Sequence, residues 1–410
     1  MIELSKDQET CFDAIMDWFK DSGDLLTMGG YAGSGKTTLI SKVRNSLPSS
    51  IRIAFCAFTG KAASVLRSKM NAIGIERFPE DYCGTIHSLI YEPELDNNGE
   101  IVDWILKHDI DYDFIIIDEA SMVSHDLYRD LKSYDIPMLA IGDHGQLPPI
   151  EGSLNLMQNP TLKLEKVHRF AENDALIQVS ILARKQGYIP PGTYGDAVHK
   201  VPKGHSMVNQ FIKNGGDFTD SAILCGFNKT RIDINKKIRH WLGHKGNYPK
   251  IGERVICLKN NKNSKHCPIY NGVLGSVKDC SNHGKYYDFM VGIDGEAKSY
   301  VGKISPNVFH EAKPPMDEFI YEMSTSKENH KEDVGDPIRF MSNKTKRRRV
   351  KRYLDCFDYG YALTVHKSQG SEWDRVMVIE QPCDYWSGEN WNRWLYTAVT
   401  RSKRELLIVR

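Results

Sequence analysis

The sequence predicts an α/β protein built on parallel sheets and divided into two or three domains. Three observations predict it. The chain has 410 residues, and single hydrophobic cores stop growing near ~250–300 residues. Its first half alternates short, continuously apolar runs with polar, helix-like stretches, which suits strands covered by helices on both faces. One of those runs leads straight into a glycine-rich loop and a helix-like stretch. Hydrophobic residues at 40% and charged residues at 26% match globular usage and exclude disorder or a coiled coil. Lys plus Arg is 54 against 53 Asp plus Glu. Bulk charge therefore cannot drive nucleic-acid binding, although a local basic groove still can.

Taken in order, Leu25–Gly30, Ile51–Thr59, Phe114–Glu119 and Met138–Asp143 are expected strands of a first sheet. The same texture returns in Ala222–Asn228, Val376–Glu380 and Glu405–Arg410. The chain ends inside that last run, so no C-terminal appendage is expected. From about 245 to 355 helical periodicity is lost and Asn271-Gly272 marks a hairpin. Arg254–Leu258 and Val273–Val277 read there as strands of a small β-barrel inserted into the second α/β unit. Residues 311–340 are polar and acidic-leaning and read as a long loop or a mobile excursion. No apolar run reaches about 18 residues, so no membrane span is expected. The start, MIELSKDQET, lacks an apolar h-region, so no secretory signal is expected. The 9 cysteines include no CxxC pair, which argues against a zinc module and for reduced thiols.

Gly30-Tyr31-Ala32-Gly33-Ser34-Gly35-Lys36-Thr37 is GxxxxGKT, placed between a strand and the helix-like Thr38–Leu47. Gly30, Gly33, Ser34 and Gly35 let backbone N–H groups turn toward phosphate oxygens, and the helix start at Thr38 adds positive potential. Lys36 supplies charge for the β/γ-phosphates of ATP, and Thr37 supplies an oxygen for Mg²⁺. Downstream, Phe114–Glu119 delivers two carboxylates at a strand end, where ligands sit in open α/β sheets. Asp118 is the candidate Mg²⁺ ligand and Glu119 the candidate group that polarises water.

Three further segments follow. Ile141–Pro149 carries GDxxQLPP, Thr364–Glu372 carries TxHKxQGxE, and Tyr396–Arg401 carries YTAxTR. In this order they resemble motifs III, V and VI of superfamily-one helicases, and most of all the RecD-like branch. Ala57–Ala63 resembles motif Ia, with Phe58 where proline is usual, and Gly84–Leu89 resembles motif Ib. The resemblance runs from Gln8 to Arg401. It implies two RecA-like parallel-sheet lobes with a small excursion in the first and a β-barrel (SH3-like) insertion in the second. The implied bounds are 1–165 for lobe one, with the excursion at about 90–111. Lobe two is 166–244 with 356–410, and the insertion is 245–355.

The resemblance also implies roles. Gln8 reads the adenine; otherwise it is a solvated residue near a helix start. Gln146 senses the γ-phosphate, Arg169 and Arg401 reach it across the cleft, and Gly370 and Glu372 line the nucleotide side of lobe two. Thr59, Gly60, Thr85, His87, Thr364 and His366 fall on motifs that contact the strand, where hydroxyls and N–H groups hold phosphates without reading sequence. Lys344–Arg352 has seven basic residues in nine, either a phosphate-neutralising run or a solvated linker leaving the insertion, with a localisation signal as a weaker third reading. The relatives carry a strand-separating wedge within 90–111. Tyr91 and Trp104 are the aromatic candidates there, and Trp104 equally suits core packing in a helix.

The implied activity is an ATP-dependent helicase that moves 5′ to 3′ on single-stranded DNA and opens a forked duplex. Two alternatives are an ATP-driven translocase that displaces proteins, and a nucleotide-switched binding module without catalysis. A monomer in a bacterial or phage-infected cytoplasm, working with single-strand-binding or replication proteins, completes the expectation.

Overall fold

The computed structural model describes residues 4–72, 77–95, 101–148, 155–166, 174–216, 218–246, 248–259, 269, 271–295, 299–310, 318–324, 347–382 and 388–410. The first part comprises α1 (Lys6–Lys20), β1 (Leu25–Gly30), α2 (Lys36–Ser46), β2 (Ile53–Ala57), α3 (Gly60–Ala72), β3 (Tyr82–Thr85) and α4 (Ile86–Ile90). It continues with β4 (Tyr91–Leu95), β5 (Ile101–Leu106), β6 (Phe114–Asp118), α5 (His125–Lys132), β7 (Met138–Gly142) and β8 (Leu162–Leu164). Six of these strands form one parallel sheet in the order β3-β2-β6-β7-β1-β8.

The continuous apolarity of these strands has a direct consequence. Successive side chains point to opposite faces, so a sheet covered twice needs apolar residues at every position. Ile53, Phe55, Phe114, Ile116, Leu139 and Ile141 pack on one side with Ile15 of α1 and Leu39 and Val43 of α2. Ala54, Cys56, Ile115, Ile117, Met138 and Ala140 pack on the other with Ile86 and Leu89 of α4 and Leu127 and Leu131 of α5. The excursion is the antiparallel hairpin β4–β5, in which Trp104 pairs with Pro93, so a helix there is excluded.

The second part comprises α6 (Asp174–Gln186), β9 (Gly192–Tyr194), β10 (Val198–Val201), α7 (Ser206–Lys213), β11 (Ser221–Cys225), α8 (Asn228–Trp241), β12 (Arg254–Cys257), β13 (Leu274–Asn282), β14 (Tyr287–Ile293) and β15 (Ser299–Ile304). After these come β16 (Glu318–Ser324), β17 (Arg347–Tyr353), β18 (Phe357–Tyr359), β19 (Ala362–Thr364), β20 (Trp373–Ile379), α9 (Gly388–Val399) and β21 (Ser402–Val409). A second sheet has the order β19-β11-β20-β21-β10-β9, parallel except for its edge strand β9.

The insertion is a five-stranded antiparallel sheet, β15-β14-β13-β12-β18. Its two edges approach at the isolated bridge between Ile304 and Asp355, so the sheet curls without a continuous closing ladder. Its boundary differs from the expected 355. Phe357–Tyr359 pairs with β12, so the chain rejoins the second parallel sheet only at Ala362. The insertion also shares a core with that lobe. Ile223, Met377 and Leu407 of the parallel sheet pack in one cluster with Val255, Val277 and Val291 of the insertion. Two other expectations change. The expected loop 311–340 contains β16, and Arg347–Arg352 lies in β17, which pairs with β16 in register Glu322 to Arg349. A linker reading is thus excluded for those residues, whereas Lys344, Thr345 and Lys346 lie outside the described residues. No disulfide forms among the described cysteines, and no described helix is long and apolar enough to cross a membrane.

Candidate nucleotide cleft and strand-binding edge

The loop Gly30–Thr37 joins β1 to α2, at the C-terminal edge of the sheet. Gly33 and Gly35 both have φ +81°, a left-handed conformation that side chains with a Cβ rarely adopt. Lys36 Nζ donates to the carbonyls of Gly30 (2.6 Å) and Tyr31 (3.0 Å), holding its ammonium inside the loop. Thr37 and Thr38 occupy the first turn of α2. Gln8 is buried at the start of α1. Its Oε1 accepts from Ser5 N–H (2.9 Å) and its Nε2 donates to Ser34 O (3.2 Å). The solvated alternative for Gln8 is therefore excluded; it braces the glycine-rich loop.

β6 ends at Asp118, whose Oδ1 accepts from Glu119 N–H at 2.9 Å. Glu119 has φ +54°, strain of the kind that persists where surrounding structure enforces it. Burial, and then the Asp118 charge, push the Glu119 carboxyl up to about 7, against the opposing pull of Arg401 and Lys36. Gln146 is buried and donates to Asp143 Oδ2 at 3.2 Å.

The second lobe closes on this edge. Tyr396 of α9 donates to Asp143 Oδ2 (2.8 Å) and accepts the N–H of Ala32 (3.0 Å), a loop amide. Leu147 N–H donates to Thr397 Oγ1 (2.9 Å), and Gln369 Nε2 donates to Leu147 O (2.7 Å). Leu147 itself packs in the second lobe's core with Val179, Trp394 and Val399. Arg401 is buried on its own lobe. Its nitrogens donate to Thr397 O (3.1 Å), Ser371 O (3.2 Å) and Thr400 Oγ1 (3.2 Å). Ser34 Oγ, Glu119 Oε2, His144 Nδ1, Gln146 Oε1 and Arg184 Nη1 are buried here without a hydrogen-bond partner among the described residues. Orphaned buried polar atoms are rare in folded proteins, and such a concentration at one loop marks a polar ligand's place. Acceptors and cations together fit a nucleoside triphosphate with Mg²⁺.

Residues 3–195 match the family model described as an AAA domain, and residues 359–409 match the UvrD-like helicase C-terminal domain. The chain is 23% identical to the ATP-dependent DNA helicase dda of Enterobacteria phage T4, covering 99% of both chains. It is 24% identical to the ATP-dependent RecD2 DNA helicase of Deinococcus radiodurans, over 98% of this chain and 48% of that protein. In its matched regions and in these relatives the chain resembles the RecD-like superfamily-one helicases. It spans about half the length of RecD2. A Pif1 helicase from Bacteroides, solved in complex with ADP-AlF3 and ssDNA, shares its fold with a TM-score of 0.50 at 17% identity, over 100% of this chain and 92% of that one.

The other expected site residues of this RecD-like chain fall as follows. Thr59 Oγ1 accepts from Ala62 N–H (3.1 Å), capping α3, which begins at Gly60. Thr85 Oγ1 accepts from Ser88 N–H (3.1 Å) at the start of α4. Thr364 ends β19 and His366 follows it in a 3₁₀ turn; burial lowers the His366 pKa. His87 is buried, with its ring centroid 5.8 Å from those of Phe58 and Tyr91. Gly370 lies against the first lobe, where a Cβ would meet Thr59, Met122 and Ala62. Glu372 is half-buried beside Ser371, whose carbonyl holds Arg401. Arg169 lies outside the described residues. Sequence reasoning gave no role to Tyr396, Gln369, Thr397 or Asp143, although all sit inside the quoted motifs. Arg184 belongs to none of them.

Proposed function

We propose that this chain hydrolyses ATP to move along single-stranded DNA, 5′ to 3′, and separates duplex strands at a fork. One observation carries the reading: partnerless buried polar atoms surround the loop Gly30–Thr37, across which the second lobe holds the buried Arg401. ATP with Mg²⁺, bound there, supplies a γ-phosphoryl group for transfer to water. Lys36 would release the Gly30 and Tyr31 carbonyls to meet the β/γ-phosphates, and Thr37 and Asp118 would hold the metal. Glu119, once ionised, would draw a proton from water, and Gln146 would orient the same region through its partnerless Oε1. Arg401 would exchange carbonyl partners for phosphate oxygens, where an arginine stabilises spreading negative charge.

The strand would run over the N-termini of α3 and the Thr85 turn in lobe one and the Thr364–His366 turn in lobe two. These are backbone-type contacts with little sequence preference. Closing the cleft would then shift one lobe's grip relative to the other's. The relatives named as DNA helicases support this reading. The protein would act as a cytoplasmic monomer, meeting single-strand-binding or replication proteins on the DNA.

The test is ATP turnover with and without single-stranded DNA, alongside unwinding of 5′- and 3′-tailed duplexes. DNA should stimulate turnover, Lys36→Ala should abolish it, and only the 5′-tailed duplex should open. Turnover indifferent to DNA overturns the reading; opening of the 3′-tailed duplex alone overturns the direction.

A further inference from the structure

Arg184 lies near the end of α6, in the second lobe, yet its guanidinium carbon sits 3.4 Å from the ring centroid of Tyr31. Tyr31 is the second residue of the glycine-rich loop, and its carbonyl accepts from Lys36 Nζ at 3.0 Å. The ring therefore stands at the end of the loop where Lys36 keeps its ammonium. Arg184 Nη1 is buried and has no hydrogen-bond partner, and Arg184 forms no ion pair among the described residues. Asp143, the neighbouring carboxylate, is already engaged. Its Oδ1 accepts from Gly145 N–H (2.9 Å), and its Oδ2 accepts from Gln146 and Tyr396. His144, whose ring centroid is 4.3 Å from that of Tyr31, carries a second buried nitrogen without a hydrogen-bond partner.

A ring face attracts a guanidinium but does not accept the in-plane hydrogen bonds of its fork. Leaving such a donor buried and unbonded is unfavourable unless something anionic completes it. The fork geometry matches two phosphate oxygens. We propose that Arg184 is a further cross-cleft ligand of the triphosphate, resting on Tyr31 when the nucleotide is absent and turning its fork to the terminal phosphate when it is present. This rests on the ATP-hydrolase reading above and adds to it a residue that lies outside every motif. The competing role is purely structural, a stacked clasp between α6 and the loop.

The experiment measures equilibrium binding of ADP and of a slowly hydrolysed ATP analogue to wild type, Arg184→Met, Arg184→Lys and Tyr31→Leu, with ATP turnover recorded on the same samples. Arg184→Met should weaken the triphosphate about tenfold or more, the scale of a lost charged hydrogen bond, while ADP binding changes less than about twofold. Arg184→Lys keeps the charge without the fork and should lose part of the triphosphate preference, which keeps the test decisive if the methionine variant does not fold. Tyr31→Leu should retain the preference, because the stack is only the resting place. Equal weakening of both nucleotides by Arg184→Met, or loss of preference in Tyr31→Leu, overturns the proposal in favour of the clasp. If wild type neither binds nor hydrolyses ATP, the ATP-hydrolase reading fails; if wild type does both and Arg184→Met keeps its preference, only the role of Arg184 fails.

Discussion

Glu119 is held in a left-handed conformation with Oε2 buried and its carboxyl pushed up to about 7. A group that must be ionised to accept a proton from water is then half-available near neutrality. Turnover per KM, which reports the free enzyme, should rise with pH and level off above about 7. Glu119→Gln should remove both the rise and the activity, as steady-state rates from pH 5.5 to 8.5 will show. The same shift fixes the sign for stability. The folded chain keeps a proton that the unfolded chain releases above pH 4.5, so stability falls as pH climbs from about 4.5 to about 7 and levels off above it. Glu119→Gln should therefore melt higher than wild type, with a wider gap at pH 8 than at pH 5. Arg401 belongs to the same scale. Its donors are occupied by oxygens of its own lobe, so the ground state gains little from it. Arg401→Ala should leave nucleotide affinity nearly unchanged and lower DNA-stimulated turnover by on the order of 10³. Turnover within a few-fold of wild type would make it a structural arginine.

The element that joins the lobes is the loop after β7. Asp143 and Gln146 face the cleft, while Leu147 is buried in the second lobe's core and clasped by Thr397 and Gln369. Any shift at Gln146 is thus handed to α9 and the 365–369 turn through one residue of chain. Leu147→Ala should cost about 2–5 kcal/mol by leaving a cavity, measured by denaturant unfolding. Gln369→Ala removes only the clasp; it should keep basal ATP turnover and reduce its stimulation by DNA severalfold. The quoted motifs contained every one of these residues. Their adjacency was illegible, because Asp143, Gln369 and Tyr396 meet only after two separate sheets have formed. His87 is a related case: a motif histidine is buried close to two rings, which periodicity cannot reveal in a helix as short as α4.

At the scale of the whole molecule, loops at the C-terminal edge of the first sheet meet the second lobe at the end of α9 and the turn before β20, where strands of the second sheet begin, and the inserted sheet covers one face of the second. Ile223, Met377 and Leu407 depend on that cover, and α8 is tied to the insertion by the buried pairs Arg231–Asp358 and Arg239–Glu253. Replacing residues 245–360 with a short linker should therefore give an insoluble or molten chain, not a smaller working one. A soluble product with a sharp melting transition would show that the insertion is dispensable to the fold.

The sequence alone determined the strand cores of both sheets, the glycine-rich loop and the two carboxylates at the end of β6. Each is a local pattern, a run of apolar residues or a fixed spacing, whose physics is complete within about ten residues. Only the tertiary structure decided that Tyr396 caps a loop amide, that Gly370 meets Thr59, that β16 and β17 pair, and that Arg184 lies on Tyr31. Those contacts join positions far apart in the chain, and their geometry is set by how sheets, helices and lobes pack, which no local pattern encodes.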